Sequence, residues 1–121
     1  MQRVAKAEDQ TTSYADLGVY RILAEVENPA AVERFVRLWL NSLLEYDERK
    51  GSDLVHTLSR YLECGGSYDA TATELSVHRS TLKYRLQRIR EISGHDLTNP
   101  DTSFNLQLAT RGWQTLQGLK T

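Results

Sequence analysis

One cysteine, Cys64, is present among 121 residues. A disulfide within the chain and any multi-cysteine metal centre are thereby excluded. Cys64 ends an apolar stripe just ahead of Gly65-Gly66, so it is expected to be buried and inert. No apolar run is long enough to span a bilayer, and no secretory leader is recognisable. The expected compartment is the cytoplasm, and no membrane is expected as a partner. Neither sign of charge is in surplus: 15 Lys and Arg stand against 16 Asp and Glu, a net charge of −1. A general affinity for nucleic acid is not implied, and only a local patch could supply one. Internal repeats and low-complexity segments are lacking.

Signals of catalysis are equally sparse. His56, His78 and His95 fall on different elements, and none has a metal-ligand spacing to another His or Cys. Gly65-Gly66 lacks the lysine of a phosphate-binding loop and reads as a helix stop. Neither a metal nor a cofactor is expected, and no enzymatic activity.

What the chain has is helical periodicity. Residues 1–13 are polar and patternless, as in a flexible terminus or linker. Asp16 can cap a first helix carrying Val19, Ile22, Leu23 and Val26 on one stripe. Asn28-Pro29 stops it and starts a second, with Asn as N-cap and Pro at the first helical position. Val32, Phe35, Val36, Trp39 and Leu43 form one stripe of that second helix. Leu38, Leu40 and Leu44 add apolar surface on other sides. Such a helix is buried on more than one side. Either other helices of the chain cover it, or Leu40 and Leu44, near Trp39, form a subunit contact.

A charged connection, residues 46–51, follows. Ser52 is placed to cap a third helix, with Leu54, Leu58, Tyr61 and Leu62 inward and His56 on its polar face. Gly65 suits the left-handed residue that ends it. Ser67 caps the next helix, and Gly94 ends the one after. Residues 94–99 read as loop. The last helix starts between Pro100 and Ser103 and runs toward Leu119, with Phe104 and Leu108 as one apolar pair and Leu106, Ala109, Trp113 and Leu116 as another stripe. Gly112 should weaken it by about 1 kcal/mol. No stretch reads as a strand. The expected fold class is all-α, about six helices containing a helix-turn-helix. Its expected parts are the terminus 1–13, a helical pair over 14–50 serving dimerisation or linkage to a missing sensor region, and a helix-turn-helix domain over 51–121.

Residues 67–93 organise the rest. Between Arg79 and Arg90 stand five basic residues (Arg79, Lys83, Arg85, Arg88 and Arg90) and no acid. A local positive helix on a near-neutral chain is the footprint of a DNA-reading element, although basic runs are also commonly solvated faces. Ala72, Leu75, Val77, Leu82 and Leu86 fall at helix-turn-helix spacings: Ala72 small at the crossing, Val77 plugging the turn, Leu82, Leu86 and Ile89 holding the second helix down. At about 100° per residue, Ser80, Tyr84 and Gln87 then point outward, with Thr81, Lys83 and Arg88 on the flanks. Arg85 turns toward the core side, where it would pair with Glu74 or Asp69 or reach a flanking phosphate. His78 and Arg79 stand at the helix start, where backbone N–H groups favour phosphate. Ser80, Thr81 and Tyr84 are the candidates for base edges. Arg79, Lys83 and Arg88 are the candidates for phosphates, with Arg79 also able to fork onto a guanine. Gln87 completes the outward set.

The run from Leu54 to Ala109 resembles the C-terminal helix-turn-helix domain of the PucR/CdaR family of bacterial transcriptional regulators. The resemblance is carried by Y-L-x-x-G-G at Tyr61–Gly66, V-H-x-x-T-L-x-Y-R-L-x-R-I at Val77–Ile89, S-G-H-D-L at Ser93–Leu97 and L-Q-L-A at Leu106–Ala109. The shorter pattern A-x-x-L-x-V-x-R-x-T-L is similar to Fis-type helix-turn-helices. The chain departs from the family at Arg79, where Pro is common, and at Thr110-Arg111-Gly112, where an apolar pair is usual. The resemblance implies a sequence-specific DNA-binding regulator with its recognition helix over about 79–93 in the major groove. It also implies duplex DNA as partner, binding as a homodimer, RNA polymerase as a further contact, and a chain that is either a fragment of a longer regulator, the favoured reading, or a short stand-alone relative. The competing reading is a helical protein-interaction or dimerisation module whose basic helix docks an acidic partner.

Overall fold

The computed structural model describes residues 29–120. The expected first helix, with Val19, Ile22, Leu23 and Val26, lies outside the described residues. Within them are five helices and no strand: α1 (Pro29–Lys50), α2 (Leu54–Glu63), α3 (Tyr68–Leu75), α4 (Arg79–Ser93) and α5 (Pro100–Lys120). The all-α expectation holds.

Proline opens α1, where its missing N–H costs nothing, and Arg49 and Lys50 lie in its last turn, against the negative end of the helix dipole. Its core face is Val32, Val36, Leu40 and Leu43. Leu40 and Leu43 are completely buried, whereas Leu38 is 75% exposed. Leu40 is therefore not available as a subunit contact, because α5 and the central helices cover it within the chain. Leu44 is half-buried beside Trp113 and Leu116.

The start of α2 departs from the expected cap. Its N-cap is Asp53, which makes no side-chain capping bond. Asp47, on the last turn of α1, does the capping instead. One carboxylate oxygen accepts from the Leu54 N–H at 2.8 Å and from the Ser52 hydroxyl at 2.6 Å; the other accepts from the Val55 N–H at 2.9 Å. The tight turn at Gly51 (φ +64°) brings the end of α1 over the start of α2. Ser52 thus orients the cap rather than being it. Leu54, Val55, Thr57, Leu58, Ser59 and Leu62 are all buried. They lie on several sides of the helix, so α2 runs through the middle of the molecule; His56 is its exposed position, and Arg60, Tyr61 and Glu63 are half-buried.

The chain leaves α2 through Gly65 and Gly66, both left-handed (φ +67° and +80°), and the Gly66 N–H returns to the Tyr61 carbonyl at 2.9 Å. Two consecutive residues in that region would be strained with any Cβ. Ser67 caps α3 as expected, its hydroxyl accepting from the Ala70 N–H at 3.1 Å. Ala72 is buried where α3 crosses α4, and the Val77 N–H closes the turn onto the Ala72 carbonyl at 3.0 Å. Leu82, Leu86 and Ile89 are all completely buried. Each removes roughly 2 kcal/mol worth of apolar surface from water. Gly94, at φ +74°, ends α4.

Asn99 caps α5, its side-chain oxygen accepting from the N–H groups of Asp101 and Thr102. α5 lies along α1. Gly112 is what permits the close approach: a Cβ there would stand 3.2 Å from a methyl of Val32 and 3.2 Å from one of Val36. The helix cost expected at Gly112 is offset by that contact. Of the two apolar stripes expected on α5, Leu106 and Ala109 are buried, with Trp113 and Leu116 packed against the core. Phe104 is 66% exposed, because it lies on the opposite side of the helix from Leu106, away from the described core. Thr110 and Arg111, at the departure from the family pattern, are buried. The Arg111 guanidinium forks onto both Glu63 oxygens, at 2.8 and 2.9 Å.

Candidate nucleic-acid interface

The buried stripe of α4 leaves its opposite face to solvent. Ser80, Lys83, Tyr84 and Gln87 are exposed there, and Thr81 and Arg88 are half-buried at its edge. Tyr84 is 65% exposed, unusual for a large aromatic ring on a well-packed helix. His78 is the N-cap residue with extended backbone and no side-chain capping bond, and the first turn of α4 carries no acid. The orphan N–H groups of that turn and the positive end of the dipole therefore meet solvent beside His78 and Arg79, both exposed. All eight candidate residues lie on or beside this one surface.

The flanks of the face differ. Toward α3, the Arg79 guanidinium is 2.7 Å from the Asp69 carboxylate and stacks 5.2 Å from the centre of the Tyr68 ring. Arg90 donates to the Tyr68 hydroxyl at 3.4 Å. Both partners of the Arg79–Asp69 pair are largely exposed, so the pair contributes little to stability and leaves the guanidinium usable by a ligand.

Toward α1, Arg88 donates to the Glu91 carboxylate at 2.8 Å and to the Tyr46 hydroxyl at 3.3 Å, with its guanidinium 5.3 Å from the Tyr46 ring centre. Arg49 approaches the same ring at 5.7 Å. The hydrogen bond to Tyr46, then that to Glu91, pushes the Arg88 pKa further up. Glu91 also accepts from Gln87 at 3.2 Å, and the bonds from Gln87 and Arg88 hold its carboxyl below the usual range. The outward face therefore ends in an acid. Gln87 and Arg88 are engaged at their own end of the helix, while Ser80, Thr81 and Tyr84 have no such partner among the described residues.

Arg85 is not paired as expected. Glu74 is bonded to Arg60 and accepts from the Cys64 thiol at 3.4 Å, and Asp69 is bonded to Arg79. Those bonds hold Glu74 below the usual carboxylate range, with Arg60 the larger cause. Both acids sit on the α3 side of α4, whereas Arg85 leans toward α1. Cys64 is half-buried at the seam of α2 and α3 rather than fully enclosed.

Tyr46, Tyr68, Asp69 and Glu91 complete the surroundings of the face; Asp69 was expected beside Arg85 and pairs with Arg79 instead, and the other three were missed by residue patterns on α4 alone. The spacing of Gln87 and Arg88 to Glu91 was a usable signal. Nothing local signals Tyr46, 42 residues from Arg88. Among the described residues, no cluster of His, Cys, Asp and Glu could hold a metal ion, and no helix is long and apolar enough to cross a membrane.

Comparison with known proteins places the same segment in a family. Residues 54–111 match the PucR C-terminal helix-turn-helix domain. The chain is 30% identical over 107 residues to the DNA-binding transcriptional activator AdeR of Bacillus subtilis, covering 88% of this chain and 25% of that protein. It is 40% identical over 80 residues to the purine catabolism regulatory protein of the same organism, covering 66% of this chain and 15% of that one. It is 33% identical over 95 residues to the proline-responsive transcriptional activator PutR, also of Bacillus subtilis, covering 78% and 23%. The chain thus spans about a quarter or less of the length of these relatives. No solved structure matches it. The matched segment takes in α2, the hairpin of α3 and α4 and the buried half of α5 up to Arg111, and it belongs to the PucR C-terminal helix-turn-helix domain family.

Proposed function

We propose that the chain is the DNA-binding part of a transcriptional regulator, with α4 entering the major groove of duplex DNA. The observation that carries this reading is the division of α4 between a completely buried stripe and a polar, exposed face with basic groups on both flanks. Ser80, Thr81 and Tyr84, near the N-terminal end, take base edges. Arg79 and Lys83 take phosphates, helped by the open helix start at His78. Gln87 and Arg88, both tied to Glu91, contribute from the C-terminal half. The relatives named as transcriptional activators support the same reading. No catalytic role is assigned.

One helix-turn-helix reads one half-site, so the regulator binds as a homodimer to half-sites about one helical turn apart, roughly 34 Å. The pairing contact lies elsewhere than Leu40, which is core. It acts in the cytoplasm, and a contact with RNA polymerase would carry the signal to transcription.

The test uses the whole 121-residue chain. A duplex is selected from a random pool, and its affinity is compared with that of an unrelated duplex across a range of salt. The expected result is a steep fall in log affinity with log salt, and a selected site bound at least about a thousandfold more tightly. Binding insensitive to salt would instead favour a protein-docking module. Salt-dependent binding with no preferred duplex would remove the sequence-specific reading.

A further inference from the structure

Between α4 and the end of α1 lies a cleft of about 420 Å³, walled by Tyr46, Ser52, Asp53, Thr81, Arg85 and Arg88. Arg85 is half-buried in it. Among the described residues its guanidinium makes no ion pair or hydrogen bond, and the acids that might have taken it are bonded elsewhere. Asp47, close by on α1, has both oxygens committed to Ser52, Leu54 and Val55. Five guanidinium donors thus remain for a ligand. Arg88 on the next turn of the same flank is held still by the Tyr46 hydroxyl and ring and by Glu91.

We infer that this cleft seats one backbone phosphate of DNA, gripped by Arg85 and Arg88, with Tyr46 as the residue that positions Arg88. The inference rests on the DNA-binding reading above and extends it to α1, upstream of the matched residues 54–111. A helix in the major groove has a sugar-phosphate wall on each side. The flank toward α3 meets one wall with Arg79. The flank toward α1 meets the other with the cleft. A planar guanidinium binds phosphate through two parallel N–H bonds, and a fixed one loses less conformational freedom in doing so. Asp53 is the one wall residue that opposes an anion. Its side chain caps nothing, so its charge can be removed without loss of the α2 cap.

The experiment titrates the selected and unrelated duplexes against the chain over a range of salt. Arg85→Ala should weaken both by the same factor, roughly eightfold at 0.1 M salt, and reduce the salt slope by about one. Its melting temperature should stay that of the wild type, and Arg85→Lys should restore the slope. Asp53→Asn should tighten both duplexes. Tyr46→Phe keeps the ring and loses the hydroxyl; it should weaken binding in the wild type and add nothing in an Arg88→Ala background. Unchanged affinity and slope in Arg85→Ala would overturn the seat. A Tyr46→Phe effect of equal size with and without Arg88 would overturn the positioning role. A wild-type chain that binds neither duplex sinks the DNA-binding reading itself, a result visible before any variant is made.

Discussion

In the hairpin of α3 and α4, the defining contacts join near neighbours: Ser67 caps Ala70, Val77 closes on Ala72, and Asp69 meets Arg79 ten residues on. In the packing of α5 against α1 and α2, they join residues far apart. Gly112 lies against Val32 and Val36, and Arg111 reaches Glu63 across 48 residues. The hairpin is specified by rules that act within a turn or two. That packing is specified by which face happens to meet a partner, and no local rule carries that information.

The largest test of this contrast is on α1. Leu40 and Leu38 are two residues apart and chemically identical, yet one is fully buried and the other 75% exposed. Leu40→Glu places an unpaired carboxylate in the core, at several kcal/mol. That is a large part of the stability of a domain this size. We expect no cooperative thermal transition by circular dichroism. Leu38→Glu should shift stability by no more than about 0.5 kcal/mol. Equal behaviour of the two variants would mean that α1 is packed on a different face.

The same pair of leucines shows what was legible. The stripe Leu82, Leu86, Ile89 could be read because α4 has one apolar face and only one place to put it. The cap at Ser67 and the stops at Gly65 and Gly94 follow from the backbone needs of helix ends. The apolar residues of α1 occupy several faces, so periodicity could not say which of them α5 would cover. The same holds for Phe104, read as half of an apolar pair and found exposed. At the candidate site, the outward residues of α4 were legible from its angular geometry. The partners of its arginines were not, because Arg79 pairs with an acid and a ring on α3, and Arg88 with a ring on α1 as well as an acid of its own helix.

Next in size is the buried ion pair. The side chains of Arg111 and Glu63 are only 10% and 14% exposed. Arg111→Ala would leave the Glu63 carboxylate with only the weaker support of Gln107 and Arg60, at about 3 kcal/mol, read as a lower denaturant midpoint. The bond from Arg111 is the main cause that holds the Glu63 carboxyl below the 4.5 of a free glutamate. A depressed folded pKa stabilises the fold fully above the unfolded value and loses that effect as pH falls through the folded one. The wild type should therefore lose stability below about pH 4.5, and Arg111→Ala should lose less over the same interval. Parallel pH profiles would show that the pair is not what links acidity to unfolding.

A smaller effect is expected at Gly112. Ordinarily a residue with a side chain would improve a helix by up to about 1 kcal/mol. Here the facing methyls of Val32 and Val36 belong to side chains with little χ1 freedom in a helix. Gly112→Val should force α1 and α5 apart and destabilise by roughly 1–3 kcal/mol. Gly118 has nothing within 4 Å of its notional Cβ, and Gly118→Ala should be neutral or stabilising. If both substitutions stabilise, close packing does not explain the glycine at 112.

The smallest effect separates a local cap from a remote one. Ser67 accepts from the Ala70 N–H and is the cap of its own helix. Ser67→Ala should cost about 1 kcal/mol. Asp53 occupies the same position at α2 but bonds to none of its N–H groups, since Asp47 has taken Leu54 and Val55. Asp53→Ala should therefore cost no more than about half as much, reflecting only a negative charge lost from the helix start. Asp47→Ala should behave like the loss of a true cap, although it lies on the preceding helix. Chemical denaturation of the three variants orders them directly. Were Asp53→Ala as damaging as Ser67→Ala while Asp47→Ala was silent, α2 would be capped locally after all. The contrast between the hairpin and α1 would then not extend to the junction of α1 with α2.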